Sequence, residues 1–453
     1  MENTKSLSKL SATEIVKEVT AGRLSAVEIM QSCIDRVEEV EPEIHAWEYF
    51  SKEKAINQAQ LIDEKIKRKE NLGALCSVPV GIKDVFNTED MPTCMGSPLW
   101  AGFTPGNDAR AVTYIRWADG IIPGKTVTAE FAVHHPGPTV NPYNPEYSPG
   151  TSSSGSAAAV ASFMVPLALG TQTAGSTIRP ASYCGIYGFK PSFGLIPRTG
   201  ILKTLDMLDH VTLLTRSVED LYLLFNVLRV KGPNYPFVNK FMGNHLQVKQ
   251  EYSSLWKVAF IKTPTWDQAE KYAQDSIIDY VETLSKHKNI MVEEEDLPEV
   301  FNLADDLHEL IYIKALSYYF EDEYEYHKEK ISRLFCEMVE KGKGISFQEY
   351  RSGIEKQNEL IHQLDRLLDE YDIIITLSTA GEAPRGLHTL DKRDSCLIWT
   401  LCHTLAINLP LFKGPNNLPF GAQIISRRLK DYDLLDFARY LEKEGLFRDW
   451  KEV

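Results

Sequence analysis

A chain of 453 residues that is 43% hydrophobic, with glycine and proline spread throughout, can bury one large core or two. Its formal charge of −14 argues against a general nucleic-acid surface, because holding phosphate takes clustered Lys and Arg that displace counterions. No run approaches the roughly 18 apolar residues of a membrane span, so neither nucleic acid nor membrane is expected as a partner.

The N-terminus, MENTKSLSKL, has no basic segment followed by an apolar run, and no secretory leader is expected. Seven cysteines without paired spacing, CxxC or a Cys/His array point to reduced thiols in the cytoplasm rather than a disulfide frame or a zinc site. Residues 8–70 read as amphipathic helices laid over a core: Ser11 is an N-cap with Glu14 three residues on, and Ile15, Val16 and Val19 follow on one side.

Val78 to Phe86 reads as a β-branched strand with Lys83 inside it. A lysine at a strand end is usually surface decoration. An ammonium within an apolar strand, however, loses hydration and must find partners or shed its proton, and Val80, Ile82, Val85 and Phe86 favour that second reading. Gly120 to Thr126 looks like a phosphate loop at a glance, but three residues rather than four separate its two glycines and Pro123 stiffens the turn, so no NTPase is expected. Thr126 to Phe131 continues from a strand into a further loop.

Ser148 to Pro191 carries the densest grammar. A Gly/Ser loop, Pro149 to Ser156, leads into a small-residue helix from about Ala157, an apolar strand from Val165 to Leu169, and a second Gly/Ser loop from Gly170 to Ser176. Such clusters are more often linkers or caps than sites, but apolar segments on both sides argue against a linker here. In the second loop the amides of Thr173, Ala174, Gly175 and Ser176 can converge into an anion-binding nest. The 24 residues from Ser152 to Ser176 are enough to fold back through a helix and a strand, so two hydroxyls can meet. Further on, the acidic runs Glu293 to Asp296 and Glu321 to Glu325 read as solvated helix faces, and the alternation of β-rich and helical segments indicates an α/β layer structure.

Taken jointly, Lys83 within VPVGIKD, Ser152 within SPGTSSSGSAAAVA and Ser176 within GTQTAGSTIRP resemble the amidase signature family of serine amide hydrolases. Pro79 to Ser97, Gly124 to Ala132 and Leu418 to Gln423 support the likeness, and the motif is closest to the malonamidase-like branch. The resemblance implies one α/β domain over 1–453, a twisted mixed β-sheet of many strands covered by α-helices on both faces. Helices of about 1–70 would pack on the core, and about 237–387 would build the substrate pocket.

It also implies a Ser–Ser–Lys arrangement. Ser176 would be the nucleophile, Ser152 the bridging serine after a cis peptide bond, and Lys83 the base, with Thr173, Ala174, Gly175 and Ser176 as oxyanion hole and no metal or organic cofactor. Ser153 and Ser154 would lie beside the substrate. In the malonamidase-like branch the arginine three after the nucleophile binds a substrate carboxylate, which places Arg179 at an acidic or polar substrate end; the same guanidinium could instead brace the loop. Thr151, Ser154 and Ala174 stand where the family usually has glycine, and Arg385, His388 and His403 are candidates to line the pocket. The expected function is hydrolysis of a small-molecule amide in the cytoplasm, with a homodimer allowed. The alternatives are the glutaminase component of a glutamine-dependent aminoacyl-tRNA amidotransferase and a catalytically silent scaffold.

Overall fold

The computed structural model describes residues 7–231, 255–389 and 391–446; the part of the expected pocket region from 237 to 254 lies outside them. Among the described residues eleven strands form one mixed sheet: β1 Trp47–Phe50, β2 Val80–Lys83, β3 Gly124–Thr126, β4 Leu167–Gln172, β5 Tyr187–Lys190, β6 His210–Thr215, β7 Trp256–Ile261, β8 Ile290–Glu295, β9 Ile373–Leu377, β10 Leu405–Lys413 and β11 Pro419–Ser426. Their order is β1-β3-β2-β4-β6-β5-β10-β11-β9-β7-β8.

The central strands are apolar on both sides, which dictates cover on both faces. Ile373, Ile375 and Leu377 of β9 enter one core with Leu405, Ile407 and Leu409 of β10, whereas Ile374 and Ala406 enter the opposite one. The first core is closed by the N-terminal helices, where Ile15, Val19, Ile29 and Ile34 pack, and by Val218–Leu228 and Asp431–Lys443. The second is closed by Ala304–Tyr319, Arg333–Lys343, Phe347–Glu370 and Cys396–Leu401, around the fully buried Trp399.

The capping box expected at Ser11 and Glu14 is present, and Ser25 and Glu28 repeat it at the next helix. Two segments differ from expectation. Trp47–Phe50, within the stretch read as helices, is an edge strand paired antiparallel with β3. Glu293 to Glu295 lie in β8, the last strand at the other edge, where charged residues blunt an exposed ladder; Glu321 to Glu325 do fall in a helix.

What positions the site is the parallel trio at one end. β2 runs parallel to β3 and β4, with Ile82 opposite Lys125 and Leu169 in register, so all three strands deliver their carboxyl ends, and the loops that follow, to one edge. The helix Ser154–Ala161, buried throughout, packs behind them. It must be made of small residues: a Cβ on Gly155 would stand 2.4 Å from both Ala46 O and Val127 N.

Below that edge, Lys125 and Asp84 form an ion pair at 3.1 Å with no exposure of either side chain. Lys125 also donates to Thr93 Oγ1 (2.7 Å) and Pro92 O (3.1 Å), and Asp84 Oδ2 accepts from Cys94 N (2.9 Å), so the pair ties β2 and β3 to the 92–94 loop. Removing one partner leaves a buried charge uncompensated. Lys125→Met is expected to cost ~3–5 kcal/mol in urea unfolding, and the double variant with Asp84→Asn much less than the sum of the singles; additive losses would show that the two side chains act independently.

Candidate active site

Lys83 ends β2 and is completely buried. Its Nζ lies 2.7 Å from Ser152 Oγ, 3.0 Å from Ser153 Oγ and 2.8 Å from Thr171 Oγ1, the last on neighbouring β4. An ammonium has three N–H donors and finds three hydroxyl acceptors; the neutral amine donates two and keeps a lone pair for the third hydroxyl proton. Burial drives the equilibrium towards the neutral form, holding the amine well below the ordinary lysine pKa, with the negative charge of Asp209 opposing it. Asp209 is itself buried, and accepts from the hydroxyls of Thr173 and Thr204 and from the amides of Thr204 and Leu205.

The hydroxyls continue away from the amine. Ser153 Oγ accepts from Thr171 N (3.3 Å) and lies 3.5 Å from Thr177 Oγ1, which meets Thr212 Oγ1 at 2.6 Å. Gly170 makes room for this cluster, since a Cβ there would lie within 3.0 Å of the Ser153, Thr177 and Thr212 oxygens.

Ser152 follows a cis peptide bond from Thr151 and is buried against Lys83. Ser176 closes the loop after β4 and lines a cavity of about 510 Å³ with Thr151, Thr173, Ala174 and Arg179. The two loops are joined directly, Ser153 N donating to Ser176 O at 3.1 Å. The loop carrying Ser176 is held on every side: Gln172 Oε1 accepts from the amides of Thr177 and Ile178, Thr400 Oγ1 donates to Ala174 O, and His308 Nε2 lies 2.9 Å from Thr173 O. Its own amides at Ala174, Gly175 and Ser176 have no acceptor among the described residues, and Ala174 and Ser176 line the cavity.

Several expected residues sit elsewhere. Ser153 turns inward to Lys83 and Ser154 opens the buried helix, and neither lines the cavity beside which both were expected. Arg179 does line the cavity, but its Nε donates to Asp394 Oδ2 at 2.6 Å and its Nη1 lies 3.3 Å from Asp391 Oδ2. Of the other three candidates, His388 lines the cavity. Arg385 is exposed and paired with Glu146. His403 stacks on Phe193 at a separate cavity of about 570 Å³ beside Ser192 and Arg428.

Sequence reading missed His308, Tyr312, Asp391 and Asp394, all on the cavity wall. Only one signal pointed to any of them: an arginine in a Gly/Ser loop, once buried, requires carboxylate partners.

Known proteins resemble this chain along nearly its whole length. The A component of the glutamyl-tRNA(Gln) amidotransferase of Streptomyces coelicolor is 30% identical over 96% of this chain and 97% of its own. That of Carboxydothermus hydrogenoformans is also 30% identical, covering 97% and 98%. Two solved structures share the fold: a bacterial aryl acylamidase of the amidase signature family (TM-score 0.84, 21% identity, 98% of both chains) and the peptide amidase of Stenotrophomonas maltophilia (TM-score 0.83, 20% identity, 97% of this chain and 98% of that one). The family model for amidases matches residues 28–435, and this chain belongs to that family, the amidase signature proteins.

Proposed function

We propose that this protein hydrolyses the C–N bond of a small carboxylic amide, giving the acid and ammonia or an amine, through an acyl-enzyme on Ser176. The observation that carries this reading is the dry contact of Lys83 Nζ with Ser152 Oγ at 2.7 Å, one loop away from a serine on a cavity wall. A serine hydroxyl is a poor nucleophile until a base takes its proton, and a lysine serves as base only when its site leaves it neutral.

In the proposed sequence Ser176 Oγ attacks the amide carbonyl carbon and its proton passes to Ser152 Oγ, while the proton of Ser152 passes to the Lys83 lone pair. The carbonyl oxygen, now an oxyanion, faces the unpaired amides of Ala174, Gly175 and Ser176, with Thr173 fixing the loop; such donors typically account for about 10²–10³ in rate each. The C–N bond then breaks as the leaving nitrogen receives the proton back from Lys83 through Ser152. Water repeats the steps on the ester and frees Ser176.

A second reading has support from the relatives: the full-length likeness to amidotransferase components fits a chain that works within a complex. Brisk hydrolysis of simple amides by the purified chain alone would favour the first. A cytoplasmic setting is in keeping with the described cysteines, all free and mostly buried.

Three outcomes are expected. Ser176→Ala lowers amide turnover by at least ~10³-fold with an unchanged unfolding transition, and Lys83→Ala does comparable damage, the double variant being no worse than the poorer single because the groups act as one relay. Near-normal activity of Ser176→Ala on every amide substrate would end this assignment. The rate of acyl transfer rises with pH through the depressed pKa of Lys83, since only the neutral amine accepts a proton.

Stability follows the same sign. Between that depressed value and about 10.4 the unfolded chain binds a proton at Lys83 that the folded one does not, so unfolding free energy climbs with pH. Urea titrations of Lys83→Met at pH 7 and 9 are expected to lack this component of the wild-type slope; identical slopes would mean that Lys83 stays charged in the fold.

A further inference from the structure

Arg179 reaches the cavity wall between two carboxylates. Asp394 takes its Nε, Asp391 faces its Nη1, and its Nη2 lies flat against Gly175, 2.8 Å from where a Cβ would stand. Two carboxylates thus face one guanidinium.

The mouth repeats the pattern. Lys341 is paired with Glu309 and Arg393 with Asp305. Among the lining side chains four Lys and Arg stand against five Asp and Glu, on a protein whose formal charge is −14. A ligand carboxylate entering beside Arg179 would stand next to Asp391 and Asp394, which is like-charge juxtaposition of the kind that rejects wrong partners.

Resting on the amide-hydrolase reading of the same site, we infer that the cavity selects amides whose acyl group is uncharged or ends in a cation, and rejects those that carry a carboxylate. Asp391 and Asp394 set this preference by occupying the arginine that would otherwise receive the anion. Arg179 is committed to the protein's own carboxylates, in place of the substrate role its position in the sequence suggests.

The test compares kcat/KM for three amides of matched length at one pH and low salt: succinamate, butyramide and 4-aminobutyramide. Succinamate is expected to fall about tenfold or more below butyramide, with 4-aminobutyramide equal to or above it. In Asp391→Asn the succinamate-to-butyramide ratio rises about tenfold, and in Asp391→Glu it stays near the wild-type value. Should Asp391→Asn not fold, the wild-type order alone decides. A wild-type preference for succinamate, or a ratio unmoved in folded Asp391→Asn, overturns the inference. If none of the three is turned over, it is the hydrolase reading that fails. Calorimetric binding of the same amides to the wild-type protein then decides the charge preference: tighter binding of succinamate overturns it, and tighter binding of the other two upholds it.

Discussion

The whole arrangement depends on keeping one amine dry. Lys83 has no exposed surface and no carboxylate at hydrogen-bonding distance; among the described residues, three hydroxyls are its hydrogen-bond partners. Neutral partners can saturate an ammonium's donors without repaying its lost hydration, so the proton is held weakly. A carboxylate in the place of Thr171 would have favoured the charged amine. The hydroxyl set does the reverse, and the sheet around it supplies the rigidity that such a destabilised group needs. The contrast with the next lysine along the edge is direct: Lys125, equally buried, has Asp84 at 3.1 Å and serves the architecture.

Chemistry and selection are built from different layers. The proposed relay and oxyanion donors lie on the carboxyl ends of β2 and β4 and on the two loops between 148 and 177, held into the sheet by strand pairing, main-chain bonds and the Gln172 side chain. The wall that meets the rest of a ligand comes from Ala304–Tyr319, Arg333–Lys343 and the 387–397 segment. The two layers touch through few bonds, among them His308 to Thr173 O and Thr400 to Ala174 O. The outer wall can therefore change its charge while the inner machinery keeps its geometry.

This division explains what was legible in the sequence. Lys83, Ser152 and Ser176 stand in tracts whose composition is constrained residue by residue, because Gly155 and Gly170 have no room for a side chain and hydroxyls must face the amine. The β4 strand, expected from Val165 to Leu169, lies two residues later at its start, since the chain first reverses through Phe163 at positive φ. The small-residue helix starts at Ser154 rather than Ala157, with Gly155 N already bonded to Val127 O. The outer wall left no such trace: a carboxylate such as Asp391 needs only to be near Arg179 in space, and its neighbours in sequence are under no matching constraint. Edge strands were hidden for a related reason. Trp47–Phe50 is four residues long and is fixed by its pairing with β3 more than by its own pattern.

The contacts of Lys83 also span long distances along the polymer, 69 residues to Ser152 and 88 to Thr171. Contacts of that range form only when the intervening chain has already condensed, because closing such loops must be offset by the rest of the core. Until the stretch that carries them has condensed, Lys83, Ser152 and Thr171 are ordinary side chains in water. The lowered proton affinity that burial imposes on Lys83 is thus a property of the condensed sheet and of no shorter-range structure.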